Sequence, residues 1–211
     1  WLPVQSMAQT PYDFLDAFNV IATGYSQTGY SLAQLQLGVD SVTQATPLDA
    51  VRTGLLGGMT YSETLSAPIF ISDWGWSYGW SAVSIAYLIG GVFLLQQRII
   101  NWHMPISMLF GVIVTAGLLN MLAPDQTGSI PFHLFSGAVI FGAFFIVTDP
   151  VSGSTTDKGR LIFGALIGFL TVIIRTYGGY PDAIAFAVII MNIAVPLIDY
   201  YTQPRAYGHQ P

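Results

Sequence analysis

The run Thr43-Gln44-Ala45-Thr46-Pro47-Leu48-Asp49 concentrates the chemistry of this chain. Thr46 suits the N-cap of a helix, Pro47 its first position and Asp49 its third. A helix started this way runs through Ala50, Val51 and Leu55 and stops at Gly57-Gly58. A helix N-terminus presents unpaired N–H groups and a partial positive charge, so it also holds phosphate well. Two uses of Thr46 follow: a structural cap, which local physics favours, and a hydroxyl that carries a phosphate ester.

Other polar residues are sparse enough to weigh singly. Asp149-Pro150 to Arg160 forms a hydroxyl-rich turn whose Ser and Thr side chains can cap a broken helix end. Arg175 closes the apolar run Leu170, Val172, Ile173 and Ile174. Its bland reading is a side chain that snorkels to an interface; the sharper one is a pair with Asp182. Asn120 and Asn192 fall inside apolar stretches and suit hydrogen bonds between helices. His103, His133 and His209 have no ligand spacing, so no metal site is expected. No Ser-His-Asp set, phosphate-binding P-loop or dinucleotide fingerprint is present, and no residue is assigned as catalytic. The chain has no cysteine, which removes disulfides and thiolate chemistry.

The elements that must position these residues are set by composition. Charged residues make up 8% of the 211, against about 25% in an ordinary soluble domain. Hydrophobic residues make up 53%. Composition predicts an integral membrane protein, and the length of its apolar stretches, beyond the roughly ten alternating residues of a barrel strand, predicts an all-α one. Five apolar stretches, about 80–96, 104–123, 132–148, 161–175 and 183–199, approach the length of roughly 20 residues that spans a bilayer. Trp74, Trp76, Tyr78, Trp80 and Trp102 sit at their edges, as an aromatic belt would. Gly164 and Gly168 form a GxxxG on the fourth stretch and Gly90-Gly91 lies in the first; packing within the chain is expected there, ahead of a dimer contact.

Residues 1–78 differ. They hold Asp13, Asp16, Asp40, Asp49, Glu63 and Asp73 and a single base, Arg52. They read as an extramembrane segment whose short helices lie over the bilayer, one of them over Pro11 to Ile21, followed by a loop at Gly24 to Gly29. Residues 79–200 are the bundle and 201–211 a tail. Arg98, Lys158, Arg160 and Arg205 fall on connectors of one side, so the positive-inside rule puts the tail in the cytoplasm and residues 1–78 outside. A net charge of −5 without a basic stripe argues against nucleic acid. Trp1-Leu2-Pro3 has no initiator Met and no charged leader, so the chain reads as the carboxy-terminal part of a longer protein.

The run from Asp40 through Thr43, Ala45, Thr46, Pro47 and Leu48 resembles the flavin-attachment sequence of the NqrB/RnfD family, with Gln44 in place of the commoner Gly. Three further stretches carry the resemblance: Thr148 to Gly164, Ile174 to Asp182, and Asn192 to Tyr201 with Pro204-Arg205. The match is closer to RnfD. It implies a urea-transporter-like fold and an FMN bonded through its phosphate to Thr46, with Thr43, Ala45 and Pro47 as its motif; a flavin phosphate then stands beside Asp182 as an alternative partner for Arg175. It implies a non-covalent riboflavin near the Asp149–Arg160 turn. It implies a place in an ion-translocating ferredoxin:NAD oxidoreductase complex with A, B, C, E and G subunits, in the bacterial inner membrane with Thr46 periplasmic. The alternative is a small-solute transporter or channel of similar fold without covalent flavin.

Overall fold

The computed structural model describes residues 14–25, 46–66, 70, 78–180 and 182–203. Thr43, Ala45, Trp74, Trp76, Arg205 and His209 lie outside them. The described residues form helices and no strand. Ahead of the apolar half come α1 (Phe14–Thr23), α2 (Pro47–Leu56) and α3 (Tyr61–Thr64). On α1, Phe18 and Ile21 are exposed, which suits a helix resting on a bilayer surface.

The apolar half contains α4 (Tyr78–Gln96), α5 (His103–Leu122), α6 (Ile130–Phe135), α7 (Val139–Phe141), a π-helical turn (Gly142–Ile146), α8 (Asp157–Tyr177) and α9 (Ile184–Thr202). Among the described residues α5, α8 and α9 are long and apolar enough to cross a membrane. At 1.5 Å per residue, the 19 residues of α4 extend about 28 Å. The expectation for 132–148 needs correction: no single helix spans it. The chain breaks at residues 136–138, between α6 and α7, and then widens into the π turn. Ser136 and Gly137 at the break explain why the apolar pattern concealed it: both are small, and neither interrupts the hydropathy as a charge would. The fourth stretch also starts earlier than its apolar run. Thr156 caps α8 by accepting from the Gly159 N–H at 3.0 Å, and the polar turn Asp157-Lys158 is already helical.

The core is built on α5 against α8. Met108, Val112, Phe163 and Ile167 are buried there. Small residues let the two backbones touch. A Cβ on Gly168 would stand 2.2 Å from the Met108 carbonyl oxygen, and one on Gly111 would stand 2.4 Å from that of Ala165. Gly164 meets Ser107 and the Met104 carbonyl in the same way. The GxxxG therefore packs within the chain, as expected. A Gly168→Leu variant must push backbone, not a flexible side-chain end, and is expected to cost about 3 kcal/mol, the upper part of the overpacking range. Gly179→Ala, with nothing within 4 Å, is the matched control. Size-exclusion profiles in detergent should show loss of the monodisperse peak for the first variant alone.

One end of the bundle is polar. Ser154 and Thr155 hydroxyls and the Thr155 N–H all donate to the Asp199 carboxylate on α9. Thr156 meets Thr202 at 2.6 Å. Asp149 accepts from the Val151 and Ser152 N–H groups and from the Ser152 hydroxyl. These bonds hold its carboxyl below the usual carboxylate range, the Ser152 hydroxyl contributing most. The hydroxyl-rich turn thus does cap and tie helix ends, as its composition suggested. The opposite end carries α2 and α3.

Candidate flavin-attachment site at the broken helix

α2 begins as its sequence dictates. Thr46 has extended backbone angles and its side chain accepts from the Asp49 N–H at 3.4 Å; Pro47 occupies the first turn and Asp49 lies in it. The helix stops at Gly57, and Gly58 takes a φ of +84°, a left-handed conformation that glycine adopts without steric cost. α3 follows directly, with a reciprocal cap: the Thr60 side chain accepts from Glu63 N–H and the Glu63 carboxylate accepts from Thr60 N–H at 2.8 Å.

What docks α2 is a second, smaller core. Leu48, Val51, Tyr61, Phe70 and Phe132 are all buried together. Phe132, on α6, is the shared anchor: Tyr61 meets its ring edge-on at 5.7 Å between centroids and Phe70 lies at 6.3 Å. The Tyr61 hydroxyl lies 3.3 Å from that of Ser129, the N-cap of α6. Leu48 and Val51 occur three residues apart, so one stripe of α2 faces inward. α2 is therefore fixed to the first half of the broken helix.

The break itself is held by an ion pair. Its two helix ends leave backbone groups without intrahelical partners, and side chains from other elements supply them. Arg175 Nη1 on α8 donates to the His133 carbonyl at 2.7 Å. The Ser84 hydroxyl on α4 donates to the Phe135 carbonyl at 2.9 Å. Across the gap, the Ala138 N–H donates to Asp182 at 2.9 Å. Arg175 Nη2 closes the set on Asp182 at 2.9 Å. Burial opposes ionisation of Asp182, but the guanidinium and these hydrogen bonds outweigh it and hold the carboxyl below its ordinary value. The bland reading of Arg175 is thereby corrected. Its side chain is 2% exposed and paired inward rather than snorkelling outward, because the break offers it a carbonyl and a carboxylate at once.

Gly137 is where the two halves of the site meet. A Cβ there would lie 2.6 Å from Leu48 Cδ1, 2.7 Å from Arg175 Nη2 and 3.2 Å from an Asp182 carboxylate oxygen. The start of α2 and the Arg175–Asp182 pair thus converge on one glycine. Beside them opens a cleft of about 530 Å³, whose lining includes Leu48, Val51, Leu55, Phe132, His133 and Arg175. Arg52, the base of the acidic segment, lines it as well. Of the residues expected from the sequence, Thr46, Pro47 and Arg175 are brought to this end of the molecule. His133 joins them without any signal in the sequence: no spacing rule marks it, since its significance comes from the break.

A family model of the NQR2, RnfD and RnfE proteins matches residues 8–208. The chain belongs to this family. Individual NQR2/RnfD/RnfE relatives agree. The chain is 52% identical over 210 residues to the D subunit of the ion-translocating oxidoreductase complex of Aliivibrio salmonicida, covering 100% of this chain and 59% of that protein. It is 52% identical over 209 residues to the protein of the same name from Vibrio cholerae, covering 99% and 60%. The one from Aeromonas hydrophila is 53% identical over 208 residues, covering 99% and 59%. The chain thus spans about three-fifths of the length of these relatives. Family membership and the helices of the apolar half together make it an all-α membrane protein.

Proposed function

We propose that this chain is part of the membrane-embedded D subunit of an ion-translocating, Rnf-type oxidoreductase complex, and that Thr46 carries an FMN through a phosphoester. The observation that supports the reading best is Thr46 itself. It sits at the N-cap of α2, two residues before Leu48, which lines the cleft. The residues fit the group. The helix N-terminus of α2 suits a phosphate. The apolar stripe Leu48, Val51 and Leu55 with Phe132 suits a flat aromatic ring, and a volume of about 530 Å³ is in the range of ligand pockets. FMN, when bound, would supply the exchange of electrons; the protein supplies position and electrostatic environment.

In this reading Thr46 offers the esterified hydroxyl, α2 orients it, and the Arg175–Asp182 pair keeps the break open beneath it. The A, B, C, E and G subunits deliver and remove electrons, and coupled Na⁺ or H⁺ movement follows in the assembled complex. The charge asymmetry of the connectors supports a periplasmic Thr46 at the bacterial inner membrane and a cytoplasmic tail. The groove at the polar end, formed by residues such as Thr155, Lys158 and Tyr201, suits a non-covalent riboflavin.

The broken helix supports a second reading, because discontinuous helices are also a device of small-solute transporters. One experiment separates them. The subunit is co-expressed with its flavin transferase, and membranes are run on a denaturing gel. A fluorescent band at the mass of the subunit is expected. Absence of that band, with the polypeptide present, would leave the transporter reading.

A further inference from the structure

Asn192 stands at the middle of α9, a helix of 19 residues that is long and apolar enough to cross a membrane. At 1.5 Å per residue it lies about 12 Å from the start of the helix and about 15 Å from its end. That depth is beyond the reach of a short side chain to either headgroup layer. The residue is half-buried, and its amide makes no hydrogen bond among the described residues. Oδ1 is sealed inside the chain, whereas Nδ2 is not. Pro196 leaves a second group bare. It has no N–H, so the Asn192 carbonyl, four residues before it, lacks the donor that an α-helix supplies. One residue thus brings a donor, Nδ2, and an acceptor, its carbonyl, to the depth of the lipid chains.

Hydrocarbon satisfies neither group, and a soluble partner does not reach this depth. The surrounding surface is shaped for a helix. Ala185, Ile189, Asn192 and Pro196 follow one another at spacings of four, three and four, the seam of two helices packed side by side. Ala185 and Pro196 are exposed, and Ile189 is 58% exposed. The seam lies beside the face that α9 turns to its own bundle, where Ile184, Ala187, Val188 and Met191 are buried. A small residue such as Ala185 lets a second backbone approach closely, and one polar residue in an apolar seam fixes its register. We propose that this seam docks a membrane-spanning helix of another subunit of the complex. An Asn, Gln, Ser or Thr side chain on that helix, at mid-bilayer, accepts from Asn192 Nδ2 and donates to the Asn192 carbonyl. This rests on the reading of the chain as a subunit of such a complex, the name its relatives carry.

Replacing Asn192 by Leu removes the donor and keeps a side chain of similar size. The chain itself loses no hydrogen bond from its amide, so the variant should keep the monodisperse peak of the wild-type subunit. Its hold on the neighbouring subunit should weaken about threefold to tenfold, the range for hydrogen bonds between helices in a membrane. N192Q keeps the amide and should restore most of that loss.

The test uses the full-length subunit in the assembled complex, in native membranes. A photo-reactive amino acid replaces Ile189, on the seam, or Ile190, which is 49% exposed on the other flank of α9. After illumination the tagged subunit is purified, and its adducts are identified by mass spectrometry. Retention of the other subunits by N192L and N192Q is measured through a series of detergent washes. An adduct with another membrane subunit from position 189 and not from 190, with poorer retention in N192L and recovery in N192Q, supports the proposal. Adducts confined to lipid, to the subunit's own chain or to a second copy of it overturn the proposal, as does equal labelling from both positions. N192L that retains its partners as wild type does overturns it too, while leaving the complex intact. A wild-type subunit that purifies with no other subunit overturns membership of the complex as well.

Discussion

A Thr46→Asn subunit is expected to lose its flavin label completely while keeping its fold. The substitution separates the two uses of this position. Asn caps helices as well as Thr does, because its side-chain oxygen also accepts from the N–H at the third position. It has no hydroxyl to esterify. Thr46→Ser keeps both cap and hydroxyl and should retain a label. Thr46→Val removes both, so the label disappears and α2 also weakens by about 1 kcal/mol. Buried Leu48 and Val51 should still hold that helix against Phe132. In-gel fluorescence reads the label, and thermal melts in detergent read the fold. A label that survives in Thr46→Asn would place the attachment elsewhere. A label lost equally in Thr46→Asn and Thr46→Ser would show that more than the hydroxyl is read.

The second large effect is structural. An Arg175→Met variant removes the one group that bonds both the His133 carbonyl and Asp182. Breaking a buried pair from one side costs about 3–5 kcal/mol, because the other charge is left behind. Asp182 is partly exposed and can recover some hydration, so a cost at the lower end of that range is expected. The double variant Arg175→Met, Asp182→Asn should recover part of that loss, since no unpaired carboxylate remains. The ion pair also carries a pH dependence of definite sign. Folding lowers the carboxyl pKa of Asp182 from its ordinary value of 3.8. Its contribution is therefore complete above that value and is lost as the pH falls through the lower folded one. Melting temperatures of wild type and Arg175→Met should converge as the medium is acidified below 3.8. A constant difference across that range would contradict the ion-pair account.

Much of this site is visible in the sequence wherever short-range physics decides. The cap at Thr46, the proline after it and the stop at Gly57-Gly58 are all local signals, and α2 has those bounds. The low charge count and the apolar stretches identify a membrane bundle for the same reason. The site's other half is not local. Ser136 and Gly137 look like ordinary small residues of a span until Arg175 and Asp182, some forty positions later, are seen to hold the break open. Hydropathy averages over such a break. His133 is the clearest case: its carbonyl holds Arg175, and the residues beside it do not signal that. Arg175 at the end of an apolar run reads as a snorkelling side chain because sequence alone cannot show a carboxylate waiting inward.

Intact mass spectrometry of the purified subunit reads the proposed covalent bond at the Thr46 oxygen directly. With its flavin transferase co-expressed, the wild-type protein should weigh its polypeptide plus one FMN less one water. Fragmentation should put that increment on Thr46. A wild-type mass equal to the bare polypeptide, or an increment that maps to another residue, would contradict the account.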